Sequence, residues 1–291
     1  TGGATAMQSN ILDFISQQYN TMTRSSKKLA DYIFTNKSMV QYMSITSLAE
    51  ASGVSEATIT RFCRGLGLAG YNEFKLALAR VDHTTVTGDP TDTGAAVTDG
   101  DSFENVCRKL YQTDVKAMSE TLELMDTDST AKAVDLLSGA RRVFCFGQGG
   151  SNVMAMEAWA RFSTASSQFL HIEDSHMQAM AAALCDEQDV ILFFSYSGST
   201  RDMLDVLRPA KNGGAKIILI THFSNSPAAA LSDVILLCGS NESPLQSGSI
   251  AAKIGQMFII DYLFYAYCLK NPERCAKARE ATAQATARKL L

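Results

Sequence analysis

The stretch DVILFFSYSGST, Asp189 to Thr200, decides the fold. An apolar run stops abruptly at a segment with hydroxyls on Ser195, Tyr196, Ser197, Ser199 and Thr200 around a single glycine, Gly198. A continuous apolar run of this length, without alternation, reads as a strand buried on both faces of a sheet. The hydroxyls then fall at the carboxyl end of that strand, where open parallel sheets bind their ligands.

Working outward, four further runs have the same character: RVFCF (142–146), QFLHI (168–172), KIILI (216–220) and DVILLC (233–238). Helical stretches separate them, and two amphipathic ones, 103–126 and 129–139, precede the first. This pattern predicts an α/β domain with a five-stranded parallel sheet flanked by helices. The segment IGQMFIIDYLFYAYCLK (254–270) is interrupted by Gln256 and Asp261. It falls short of the ~20 apolar residues a membrane span needs and reads as a buried or interface helix.

Upstream, residues 82–102 are poor in large apolar side chains and rich in Thr, Gly and Asp, the composition of a linker. Before them, apolar positions recur at helical spacing (Leu29 and Ile33; Leu48 and Ala51; Ile59 and Phe62; Phe74 and Leu76), and no period-two stretch competes. The expected organisation is an all-helical domain over 7–82, a linker over 83–102 and the α/β domain over 103–291. The opening TGGATA, before Met7, is expected to stand outside the folded domain.

A chain of 291 residues, 46% hydrophobic, is long enough to fill a core in each of two domains. Its net charge of −4 is uneven: residues 1–82 carry eight Lys/Arg against six Asp/Glu, and the remainder eighteen against twenty-four. The N-terminal part is therefore the half suited to an anionic partner. Seven scattered cysteines without a CxxC pair read as reduced core residues of a cytoplasmic protein. His83, His171 and His222 share no spacing that suggests a metal, and no cofactor is expected.

In SITSLAEASGVSEATITRFCRGLG (44–67), Ala49, Gly53 and Ile59 stand at helix-turn-helix offsets. The small residue lets two helices approach, the glycine takes the turn and the branched residue packs back. Ser44 and Ser55 are natural N-caps, and Val54 and Phe62 fill the remaining core. With Ile59 and Phe62 inward, Glu56, Ala57, Thr60, Arg61 and Arg64 turn outward, as on a recognition helix. Arg61, with its planar fork, suits a base edge; Ser55, Thr58 and Arg64 suit phosphates. An ordinary helical hairpin with a solvated face is the competing reading.

Two loops invite a ligand. FGQGGSN (146–152) resembles a dinucleotide fingerprint, with Gly147 and Gly149 in place and an acidic pair, Glu173 and Asp174, about twenty residues on; its last position, however, is Asn152. The other is the opening stretch. A phosphate dianion wants several donors converging on one point, which hydroxyls and backbone N–H groups at a helix N-terminus supply. Ser195, Ser197 and Thr200 would form such a cradle, with Gly198 letting the backbone bend close and Ser151 completing it from the neighbouring loop. A dinucleotide needs no second hydroxyl-rich loop, so the pair favours a phosphorylated small molecule. A plain capped turn is the alternative.

The segments GVSEATITRFCRGLGLAGYNEFKLAL, GQGGS, FSYSGSTRD and NESPLQSGSIAAKIGQMFIIDYL together resemble the RpiR family of bacterial transcriptional regulators. In that family a helix-turn-helix precedes a sugar isomerase (SIS) domain. The resemblance spans the chain from about Met7. It implies a non-enzymatic, DNA-binding regulator that senses a phosphorylated sugar or sugar acid, binds operator DNA as a homodimer or homotetramer, and has no membrane segment. By position it assigns the phosphate to Ser151, Ser195, Ser197 and Thr200, with Gly149 and Gly198 shaping the loops, and a sugar-facing carboxylate to Glu242. Ser199 stands where family members often carry glutamate, which changes the local charge. His176, after the second strand, is a further candidate for the sugar ring. The rival function is a sugar-phosphate isomerase or lyase using Glu242 or His176 as base. A domain that has lost its ligand and only dimerises is the third.

Overall fold

The computed structural model describes residues 11–85, 97, 99–239 and 250–287. They fall into two compact units divided between Ala95 and Ala96. The N-terminal unit is helical: α1 Ile11–Gln18, α2 Arg24–Thr35, α3 Lys37–Val40, α4 Ile45–Ser52, α5 Glu56–Gly65 and α6 Tyr71–Thr85. One core joins them, with Ile15, Leu29, Ile33, Leu48, Ile59 and Phe74 essentially inaccessible. Phe62 meets Phe74 edge to face at 6.1 Å. Each such side chain contributes about 1.5–3 kcal/mol by burial.

Two expected core positions differ. Ala51 is exposed and Leu76 only half-buried. On the short α4 the inward stripe runs from Leu48 to Ser52, four residues on, and Ser52 satisfies its hydroxyl on the Leu48 carbonyl at 2.5 Å.

The C-terminal unit begins with α7 Phe103–Leu124 and α8 Thr127–Gly139. There follow β1 Arg142–Gly147, α9 Gly150–Ser163, β2 Phe169–His171, α10 Ser175–Ala183, β3 Asp189–Phe194, α11 Arg201–Asn212, β4 Lys216–Thr221 and β5 Val234–Leu237. Helices α12 Ile250–Lys270 and α13 Pro272–Ala287 complete the unit. All five strands are parallel, in the order β2-β1-β3-β4-β5.

Side chains of β3 alternate between two cores: Val190, Leu192 and Phe194 pack under α8, α9 and α12, while Ile191 and Phe193 pack under α10 and α11. That two-sided burial is why the strand reads as an unbroken apolar run. Helix α12, inferred to be a buried or interface helix, buries Ile259, Leu263 and Phe264 and leaves Met257, Tyr262 and Tyr265 exposed. None of the seven cysteines is in a disulfide; five are buried, Cys268 is half-buried and Cys107 is exposed. Burial pushes the Cys63 thiol up to about 12. Among the described residues no helix is long and apolar enough to cross a membrane.

Candidate functional site

Helices α4 and α5 form the helix-turn-helix. Gly53, at φ +63°, takes the left-handed turn that a side chain disfavours. Its N–H donates to the Glu50 carbonyl and that of Val54 to the Ala49 carbonyl, both at 3.1 Å, the paired bonds of a Schellman end. Ser44 Oγ accepts from Ser47 N–H and Ser55 Oγ from Thr58 N–H, so both helices carry the expected caps. With Ile59 and Phe62 inward, Ser55, Glu56, Ala57, Arg61 and Arg64 are exposed and Thr58 and Thr60 half-exposed. The Glu56 carboxylate is held by Thr46 Oγ1 at 2.7 Å, and Arg61 reaches no further than Thr58 Oγ1 at 3.4 Å. Neither Arg61 nor Arg64 is ion-paired among the described residues.

The second site lies where the strand order reverses. With β1 in the centre, β2 extends the sheet one way and β3 the other, so the loops after β1 and β3 diverge from a common crevice. Register fixes their neighbourhood: Gly147, the last residue of β1, pairs with Phe194, the last of β3. A Cβ on Gly147 would lie 2.6 Å from the Ser151 carbonyl, so only glycine lets the first turn of α9 sit this close to the strand end.

Helices α9 and α11 leave this crevice with their N-termini, and neither N-cap residue, Gly149 or Thr200, makes a side-chain capping bond. By contrast α2, α7, α8 and α10 are capped by Thr23, Ser102, Asp126 and Asp174. At α9 the Ser151 and Asn152 N–H groups already donate to the Gln148 and Gly149 carbonyls at 3.1 Å, yet both helix ends keep the partial positive charge of the dipole, which suits an anion.

The hydroxyls of the β3 loop serve two ends. Ser195 Oγ accepts from Gly198 N–H at 3.1 Å, and Ser197 Oγ from Ser199 N–H at 3.3 Å. Those bonds make the capped turn, and each hydroxyl keeps its own proton to donate. Ser199 gives its proton back to the Ser197 carbonyl at 3.0 Å, and Thr200 is exposed at the head of α11. Gly198, at φ +59°, packs where a Cβ would collide with the Ser226 side chain.

Three side chains that sequence reasoning passed over join the site. Lys253, in the first turn of α12, lies against the start of α9: a Cβ on Gly150 would be 3.9 Å from its Nζ. Gln178, fully buried on α10, donates from Nε2 to the carbonyls of Gly147 (3.0 Å) and Ile172 (2.8 Å). His222, just past β4, stacks on Tyr196 with centroids 5.1 Å apart, and its Nδ1 sits 2.9 Å from the Cys238 carbonyl. A carbonyl only accepts, so Nδ1 carries the proton. Only the position of His222 at a strand end could have flagged it.

His176 stands two residues before Gln178, about 200° around the helix, and is exposed. Glu242 lies outside the described residues, as does much of the 83–102 segment. Among the described residues no group of three His, Cys, Asp or Glu side chains is placed to hold a metal ion.

Comparison with known proteins agrees with this two-part geometry. Residues 9–84 match the helix-turn-helix domain of the rpiR family and residues 136–266 the SIS domain. An uncharacterized HTH-type transcriptional regulator of Haemophilus influenzae is 33% identical over 271 residues, 93% of this chain and 94% of that protein. The Vibrio vulnificus NanR protein, solved in complex with ManNAc-6P, superposes with a TM-score of 0.85 at 28% identity, over 97% of this chain and 99% of that one. A putative phosphosugar isomerase of Bacteroides fragilis shares the fold of 61% of this chain, at TM-score 0.53, 24% identity and 97% coverage of its own length. The chain therefore belongs to the rpiR family of helix-turn-helix transcriptional regulators, with a SIS domain in its C-terminal unit.

Proposed function

We propose that this regulator senses a phosphorylated sugar in the crevice between β1 and β3 and reads operator DNA with α5. The observation that carries the effector reading is the pair of helix N-termini without side-chain caps, at Gly149 and Thr200, after the adjacent strands β1 and β3, with Lys253 against the start of α9. Two partial positive ends and one ammonium balance a phosphate dianion, and Ser151, Ser195 and Ser197 add neutral donors. The ManNAc-6P in the NanR complex supports the same class of ligand. Of the candidates for the sugar ring, His222 is the one stacked on Tyr196 of the β3 loop; Glu242 is assigned to it by the family resemblance alone and His176 only by its place after the second strand.

The site is a sensor in this reading. The groups gathered at the phosphate end, the Ser195 and Ser197 hydroxyls and the Lys253 ammonium, suit binding of a dianion. On α5, Arg61 reads a base while Ser55, Thr58 and Arg64 hold phosphates, with Glu56, Ala57 and Thr60 on the same face.

The protein works as a homodimer, because operator half-sites a helical turn apart need two recognition helices. Helices α7 and α12 pack together and leave Met118, Leu122, Met257, Tyr262 and Tyr265 exposed, an apolar surface suited to a second copy. Leu122→Asp with Met257→Asp should shift sedimentation from dimer to monomer.

A thermal-shift screen of ManNAc-6P and other sugar phosphates tests the effector reading. A ligand at a hundred times its dissociation constant adds about 2.7 kcal/mol to the folded state. No shift with any phosphorylated sugar, or turnover of one followed by NMR, would defeat the sensor reading.

A further inference from the structure

Helix α5 shares its face of the N-terminal unit with the start of α2. Thr23, Ser25 and Ser26 of α2 and Thr58 and Arg61 of α5 line one groove, floored by the buried ring of Phe62. Farther along α2, Lys28 Nζ donates to the Gly53 carbonyl at 3.1 Å, tying this helix to the turn between α4 and α5. Arg24 stands four residues before Lys28, so the two project from one side of α2. Lys27 is drawn elsewhere, its ammonium 5.5 Å from the centre of the Tyr19 ring.

Arg24, Lys28, Arg61 and Arg64 are all exposed, and among the described residues none is ion-paired. The acids nearby are engaged with hydroxyls: Glu56 with Thr46 and Asp31 with Tyr19, both at 2.7 Å. Several cations of the C-terminal unit, by comparison, are ion-paired. There Arg141 and Arg142 bind Asp189, Lys211 binds Asp233 and Arg161 binds Asp261. Exposed cations without an ion pair, on α5 and on the helix that shares its groove, complement a polyanion.

We propose that Arg24 and Lys28 grip the phosphate backbone of duplex DNA beside the major-groove segment that α5 enters. The proposal rests on the reading of α5 as the recognition helix and extends the interface to a helix outside the helix-turn-helix pair. Such contacts set the position of the protein on the duplex and carry no base preference. Each neutralised phosphate steepens the dependence of log K on log salt by about 0.9.

The test is fluorescence anisotropy of the full chain on a labelled mixed-sequence duplex across a salt series, with wild type, Arg24→Gln, Lys28→Gln, Lys28→Arg and Arg61→Gln. Arg24→Gln and Lys28→Gln should each flatten the salt slope by about one unit, and the double variant by about two. Lys28→Arg keeps charge and donor and should restore the wild-type slope, which separates lost charge from a loosened turn. Arg24 makes no described hydrogen bond, so its variant should melt with the wild type. Wild-type slopes in both Gln variants would overturn the α2 contact and leave α5 untouched. A wild type that binds no duplex even at low salt would instead overturn the DNA interface as a whole. Loss in Arg24→Gln and Lys28→Gln with full binding by Arg61→Gln would keep the α2 contact and remove Arg61 from the interface.

Discussion

Gln178 Nε2 donates to the carbonyl of Gly147 at 3.0 Å, so a buried amide on α10 holds the end of β1 where the loops after β1 and β3 part. The same nitrogen binds the Ile172 carbonyl just past β2, and Gln178 Oε1 is buried without a partner among the described residues. Gln178→Met keeps the volume but leaves two carbonyls unpaired. Loss of buried hydrogen bonds of this kind should cost about 2–4 kcal/mol of stability in urea titration. Effector affinity should fall as the loop after Gly147 relaxes. A loss below about 0.5 kcal/mol, the level of an ordinary surface change, would mean that solvent takes over both carbonyls.

Gly53→Ala tests the turn of the helix-turn-helix. The residue sits at φ +63°, where a Cβ adds about 1–2 kcal/mol of strain, and the new methyl would press on Lys28. The melting temperature should drop and operator affinity with it, because α5 is aimed by this turn. An unchanged melt would show that α4 and α5 are oriented by the core alone.

Asp189 gives the C-terminal unit an acid-labile anchor. Burial by itself would raise its pKa, but hydrogen bonds from Arg142 (2.6 Å) and Arg141 (2.9 Å), with the Asp186 N–H, outweigh it and hold the carboxyl at about 2. A folded-state pKa below the unfolded value of about 3.9 stabilises the protein above that value and loses the contribution as pH falls toward 2. The linked stability is about 3 kcal/mol. Asp189→Asn should therefore lose about 3–5 kcal/mol at neutral pH and show a flatter decline between pH 4 and 2. An acid titration as steep as that of the wild type would place the acid sensitivity on other carboxylates.

What was legible in the sequence was what repeats. Five apolar runs became five parallel strands because burial on both faces demands continuous Val, Ile, Leu and Phe, and Ala49, Gly53 and Ile59 fell at the offsets two crossing helices impose. Gln178 and Lys253 were not legible. A lone glutamine in SHMQAMAAA and a lone lysine at the start of an apolar helix carry no periodic signal. Their meaning comes from the fold, which brings the Gly147 and Ile172 carbonyls to one and the first turn of α9 to the other. In SYSGST the structure shows the capped turn, Ser195 and Ser197 accepting backbone bonds with their lone pairs, and those bonds leave both hydroxyl protons available to a ligand.

Lys253→Met and Ser195→Ala should separate sensing from DNA binding. Lys253 places an ammonium against Gly150, and Ser195 a buried hydroxyl at the end of β3. Hydrogen bonds to a charged group are worth about 1.5–3 kcal/mol, so each change should weaken a bound sugar phosphate roughly ten- to a hundredfold in calorimetry. Neither residue belongs to the helical unit that carries α5, so operator affinity without effector should stay at the wild-type value. By linkage, an effector that shifts operator affinity must itself bind differently, by the same factor, when operator is present. The double variant should therefore bind operator normally and fail to respond to the sugar phosphate at concentrations that saturate the wild type. Wild-type effector affinity in both single variants would remove the crevice from the mechanism and leave Ser195 as the cap of a tight turn.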